Sequence, residues 1–119
     1  MEFLKNKRND TYSVQIIAKD GDSVAGWAFL VVIKNDRHDE PYGLLENLYV
    51  EKEHRNLGLG SKLVNAVITE AKNSGCYKLL ATTRFSKTKV QSWYKKIGFS
   101  DHGTEFRMDL IKSEPKQSD

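Results

Sequence analysis

The chain has 119 residues, 39% hydrophobic and 29% charged, with a formal net charge of +3. This is the balance of one soluble globular domain, and it excludes a fibrous or largely disordered chain. The small basic excess, with no basic block interleaved with aromatics, does not argue for a nucleic-acid partner and suits a small anionic ligand.

Tyr12 to Ala18 (YSVQIIA) is rich in β-formers, and Asp20-Gly21 after it is a hairpin signal. Val24 to Ile33 (VAGWAFLVVI) reads as a long strand antiparallel to the first. Lys34 to Pro41 is a charged loop, and Tyr42 to Val50 (YGLLENLYV) a third strand. Leu59, Leu63, Val67 and Ala71 then recur at helical spacing, widened by Val64 and Ile68, with Gly75 as a stop after Ser74. Tyr77 to Thr82 (YKLLAT) predicts a short buried strand, with Cys76 packed at its start. Strand, glycine turn, helix and strand make a βαβ unit with parallel strands. A second helix is expected from Thr88 to Ile97, with Val90, Trp93, Tyr94 and Ile97 on one side and Gly98 as its end. Phe99 opens another expected strand, and the alternation in Phe106 to Ile111 (FRMDLI) predicts a last one. The fold class is therefore α/β with a mixed sheet: antiparallel first, one parallel pair in the middle, antiparallel again at the end. Residues 1–111 are expected to form a single domain, and Lys112 to Asp119 a frayed polar tail.

The segment between the third strand and the first helix carries the chemistry. In His54 to Val64 (HRNLGLGSKLV) a glycine-rich turn opens a helix. The first turn of a helix has backbone N–H groups without partners and partial positive charge from its dipole, and an anion with several oxygens satisfies both. Gly58 and Gly60 allow close approach to the backbone, and Arg55 adds a fixed charge. Walker A requires Gly-Lys-Ser/Thr, whereas Gly60 is followed by Ser61-Lys62. The dinucleotide fingerprint requires a third glycine where Leu63 stands, and an acidic ribose clamp where Thr82, Thr83 and Arg84 stand. The pattern that does match is Arg-x-x-Gly-x-Gly, over Arg55 to Gly60. A plain tight turn into a helix is the bland alternative.

Arg55 to Gly60 resembles the coenzyme A pyrophosphate loop of the GCN5-related N-acetyltransferases (the GNAT family). Trp93-Tyr94-Lys95-Lys96-Ile97-Gly98-Phe99 resembles the family's Tyr-x-x-x-Gly-Phe ending of its second conserved helix. The two motifs stand in the family's order, and the likeness covers roughly Tyr12 to Leu110. The resemblance implies an acyl-CoA N-acyltransferase fold and acetyl transfer from acetyl-CoA to a primary amine, with no metal. It departs from the family at the start: about ten residues precede Tyr12, where the family begins with a strand and two helices that commonly wall the acceptor pocket. This reading makes the chain a short member with an acceptor site that is open or completed by another chain.

The implied cofactor-binding residues are the amides of Asn56, Leu57, Gly58, Leu59, Gly60 and Ser61 with Arg55, and the strand end Leu48-Tyr49-Val50, along which the family threads pantetheine. Glu46 is the candidate base. With a strand period of two, Leu44, Glu46, Leu48 and Val50 share a face, and one carboxylate among three aliphatics needs a task or a partner. Partial burial would suit a base; pairing with a nearby Lys or Arg, or facing water, is the alternative. Tyr94 is the candidate acid, which the resemblance places near the departing sulfur; a core aromatic is its alternative. Many family members carry Asn seven residues before this Tyr, where Lys87 stands; Ser86 or Thr88 could substitute, or Lys87 or Lys89 could meet a CoA phosphate. His54 reads as a surface residue, His38 and His102 as polar-loop residues without metal-ligand spacing, and Trp27 and Phe29 as core or interface.

No apolar run approaches a membrane span, and MEFLKNKRND lacks a signal-peptide core, so a cytoplasmic protein without membrane contact is expected. The single cysteine rules out an internal disulfide and is compatible with a reducing compartment. Partners would be a small-molecule or peptide amine, and a second copy of the chain as a homodimer. The competing functions are a weakly catalytic or non-catalytic acyl-CoA-binding module of the same fold and, further off, a nucleotide-binding protein.

Overall fold

The computed structural model describes residues 1–112, and it resolves the chain into two units, residues 1–81 and the residues from Thr82 onward. The first unit opens with β1 (Tyr12–Asp20) and β2 (Ser23–Ile33), an antiparallel hairpin closed by Gly21-Asp22. Gly21 sits at φ 61°, a left-handed conformation that glycine adopts without a Cβ clash. The third strand, β3 (Tyr42–Val50), pairs antiparallel with β2. A 3₁₀ turn over Lys52–His54 leads into helix α1 (Leu59–Asn73), and the short strand β4 (Leu79–Leu80) returns parallel to β3. The sheet order is β1-β2-β3-β4, so the expected strand–turn–helix–strand unit is present with its parallel pair.

The core lies between α1 and one face of the sheet. Ala28, Leu30 and Val32 of β2 and Leu45 of β3 meet Leu63, Val64, Val67 and Ala71 of the helix, all buried. Those helix positions are the apolar stripe read from the sequence, and Gly75 at φ 78° follows its last turn. Small residues on β2 let the strands approach closely. A Cβ built on Gly26 would lie 2.6 Å from the Tyr49 carbonyl oxygen, so only glycine fits where β2 passes the end of β3.

The fourth strand is shorter than Tyr77 to Thr82. Tyr77 and Lys78 are exposed, and the ladder is limited to Gly43 opposite Leu79 and Leu44 opposite Leu80. Tyr77 is instead tied by its amide to the Pro41 carbonyl at 3.0 Å and stacked on the His38 ring at 3.9 Å. Cys76 precedes β4 without belonging to it; its thiol is partly buried, which pushes its pKa up.

The second unit contains helix α2 (Thr88–Ile97), with the limits read from the sequence. Gly98 at φ 129° ends it, with the Gly98 and Phe99 amides both returning to the Tyr94 carbonyl at 3.2 and 3.0 Å. The strands expected at Phe99 and over Phe106 to Ile111 do not form among the described residues. Phe106, Met108 and Leu110 alternate as a strand should, but they are 92, 82 and 85% exposed. Alternation supplies a two-sided ribbon; a ladder also needs a partner edge for the backbone, and this segment takes none. The sheet therefore ends on the parallel pair. Most of the expected polar tail, residues 113–119, lies outside the described residues. No helix among those described is long and apolar enough to cross a membrane.

Candidate functional site

The site grows from an irregularity in β3. Phe29 of β2 stands opposite Glu46, yet Trp27, two residues away, stands opposite Tyr49. Asn47 and Leu48 thus both oppose Ala28, which is a β-bulge, and Asn47 takes φ 50°. The bulge reverses the side-chain alternation beyond it. Leu44, Glu46 and Tyr49 share the face that Phe29 and Trp27 occupy, whereas Val50 pairs with Gly26 on the helix face. The expected set of Leu44, Glu46, Leu48 and Val50 on one face is therefore corrected, because the extra residue shifts the period-two count by one. Glu46 is also exposed, so the partial burial expected for it is absent.

Beyond Leu44 the two sides of β3 differ. One side stays paired with β2 as far as Val50, while the β4 ladder stops at Leu44. The backbone edge from Glu46 to Val50 has no strand partner on the β4 side among the described residues. That edge can receive an extended ligand as an added strand.

The glycine turn follows directly. Arg55 folds back on the strand end: its Nε donates to the Val50 carbonyl at 2.9 Å, and its guanidinium lies 5.7 Å from the centre of the Tyr49 ring. Tyr49 in turn packs on Trp27, ring centres 4.7 Å apart. The structure thus brings Tyr49, Val50 and Arg55 together. Asn56 at φ 66° and Gly58 at φ 79° turn the chain into α1. Gly58 is the N-cap, and no side chain caps the helix there. The first helical hydrogen bond runs from the Lys62 amide to the Gly58 carbonyl at 3.2 Å, so the Leu59 and Gly60 amides point out of the helix end without a helical acceptor. A Cβ on Gly58 would meet nothing within 4 Å, so the space above the turn is open.

Tyr94 belongs to the second unit. It is half-buried between Trp93 (5.2 Å between ring centres) and Phe99 (5.3 Å, edge-on), and that burial pushes its pKa above the ordinary phenol value. Its hydroxyl is therefore protonated at neutral pH. Lys87 is the N-cap residue of α2, without a side-chain capping bond. Among the described residues no group of three or more His, Cys, Asp or Glu side chains could hold a metal ion.

His54 lies at the surface but is only part-exposed, and its Nε2 reaches the Asp20 carboxylate at 3.1 Å. Asp20 is 34 residues earlier in the chain, so no local spacing announces the contact. The bulge had one local signal, Asn47, a residue type that enters left-handed backbone more readily than most.

The sequence profile of the acetyltransferase (GNAT) family matches residues 2–99. The chain belongs to the GNAT family. Over 90 residues it is 29% identical to the glucosamine 6-phosphate N-acetyltransferase of Trypanosoma brucei brucei, an alignment covering 76% of this chain and 59% of that one. A Trypanosoma brucei acetyltransferase crystal structure superposes with a TM-score of 0.72 at 27% identity, over 82% of this chain and 69% of the other. An aminoglycoside N-acetyltransferase in complex with CoA shares the fold, with a TM-score of 0.66 at 23% identity over 82% and 75% of the two chains. This GNAT chain thus spans 59% of the trypanosomal relative's length, less than two thirds of it.

Proposed function

We propose that this GNAT-family chain transfers an acetyl group from acetyl-CoA to a small primary amine. The observation that carries the reading is the junction of an unpaired β3 edge with an uncapped glycine turn. An extended thioester arm fits the first, and a diphosphate fits the second. The CoA-bound aminoglycoside enzyme supports the donor, and the names of the relatives, a glucosamine phosphate and an aminoglycoside acetyltransferase, support a small-molecule amine as acceptor.

In this mechanism the amides from Asn56 to Ser61 hold the pyrophosphate, and Arg55 supplies charge at its rim. The backbone of Leu48, Tyr49 and Val50 aligns the pantetheine arm, and an amide near Leu48 polarises the thioester carbonyl. Glu46 takes the proton from the amine as its nitrogen bonds to the acetyl carbon. The carbon–sulfur bond breaks, and Tyr94 returns a proton to the sulfur. The step leaves Glu46 protonated and Tyr94 ionised; loss of the Glu46 proton to water and return of a proton from water to Tyr94 restore both groups, so that the amine proton is in effect passed to the thiol.

Calorimetric titration with CoA and a thiol-release assay over a panel of amines test the reading. Binding together with turnover on an amino sugar or aminoglycoside supports it; no heat with CoA overturns it. The exposure of Glu46 favours one second reading, an acyl-CoA-binding module of the same fold, which binding without turnover on any amine would select.

Tyr94→Phe separates the acid from the aromatic. Phe keeps the contacts with Trp93 and Phe99 and removes only the hydroxyl. The expected result is a fall in kcat of about tenfold or more, with CoA affinity kept. Because burial raises the Tyr94 pKa, loss of the acid should set in above the range of an ordinary phenol as pH rises, a limb that the Phe variant lacks.

A further inference from the structure

We infer that Asp20 and His54 form a strut that holds the glycine turn in its ligand-ready shape, so that both act as positioning residues. The inference rests on the CoA reading of the turn and adds to it two residues that lie outside the Arg-x-x-Gly-x-Gly motif.

Four observations carry it. His54 is the last residue of the 3₁₀ turn and directly precedes Arg55, so its orientation sets where the loop begins. Its Nε2 stands 3.1 Å from Asp20 Oδ2 at the tip of the β1–β2 hairpin. A carboxylate only accepts, so Nε2 carries the proton and donates. The other ring nitrogen, Nδ1, is sealed from solvent and has no hydrogen-bond partner among the described residues. Asp20 is therefore the polar contact that orients the ring.

The space around the pair adds the physical reason. A cleft of about 240 Å³ separates the hairpin tip from the start of α1, between Lys19 and Asp20 on one side and Leu59 and Lys62 on the other. Asp20 and His54 both line this cleft, and their contact joins the end of the hairpin to the 3₁₀ turn across it. The loop also carries Asn56 at φ 66°, a left-handed conformation that asparagine enters more readily than most residues. Arg55 anchors the loop to Val50 on the sheet side; Asp20 and His54 anchor it on the hairpin side.

Asp20→Ala tests this cleanly, because Asp20 is 73% exposed and its loss leaves no cavity. The full chain and the variant are titrated with CoA, and acetyl-CoA kinetics are measured on the best amine. The expected result is affinity about tenfold weaker, a matching rise in KM, and kcat within about twofold. Amide exchange over residues 56–61 should quicken, while that of α1 beyond Leu63 stays unchanged. Asp20→Asn keeps an acceptor for Nε2 and should restore most of the affinity; His54→Phe, which fills the site without a donor, should behave like Asp20→Ala. CoA affinity equal in wild type and Asp20→Ala overturns the strut and leaves the CoA reading standing. A wild type that does not bind CoA overturns that reading, and the strut with it. A loss of kcat without a change in KM or loop exchange also overturns it.

Discussion

Replacing Glu46 with Gln should lower acetyl-transfer turnover about 100-fold while leaving CoA binding within about twofold of wild type. Gln matches the shape of Glu but takes no proton at neutral pH. Glu46 is exposed and lies in no core contact, so the substitution should change folding stability by less than about 0.5 kcal/mol. The outcome is thus read on chemistry alone. The side chain stands on the Phe29 side of the sheet, so the proposed base would act from the position in which β3 holds it. Thiol release by the Gln variant within a few-fold of wild type would show that another group, or water, takes the proton.

Leu30→Ala should destabilise the protein by about 2–5 kcal/mol, seen as a lower midpoint in urea unfolding. Leu30 is 0% exposed and sits in the middle strand, opposite Val14 on one side and Leu45 on the other. It lies under α1, so truncation leaves a hole that the two neighbouring strands and the helix cannot all close. The contrast is Leu57→Ala. Leu57 is 71% exposed in the glycine turn, and its loss should move the midpoint little. A Leu30→Ala midpoint as high as that of Leu57→Ala would mean that the packing between α1 and the sheet is not what stabilises the first unit.

The helices were legible because each carries its own ruler. Leu59, Leu63, Val67 and Ala71 repeat at the helical period, and Gly75 and Gly98 stand where the chain must turn left-handed. The first hairpin was legible for the same local reason, an Asp-Gly turn between β-forming runs. The glycine turn showed its residues and their spacing with no reference to the rest of the chain. These features depend on neighbours within a few positions, and backbone sterics and side-chain period act at that range.

Other features needed the third dimension. One inserted residue in β3 decided which side chains stand beside Glu46, and alternation counted along the sequence runs through a bulge without detecting it. The length of β4 and the unpaired state of Phe106 to Ile111 depended on whether a second backbone was there to bond with. The contact between His54 and Asp20 joins residues 34 positions apart and follows from the hairpin tip and the 3₁₀ turn lying at the same end of the sheet. The amino-acid sequence alone thus determined the local elements, the phosphate-type turn and the family likeness. Only the tertiary structure decided which β3 edge has no strand partner among the described residues and which residue His54 meets, because both depend on contacts between segments that are distant along the chain.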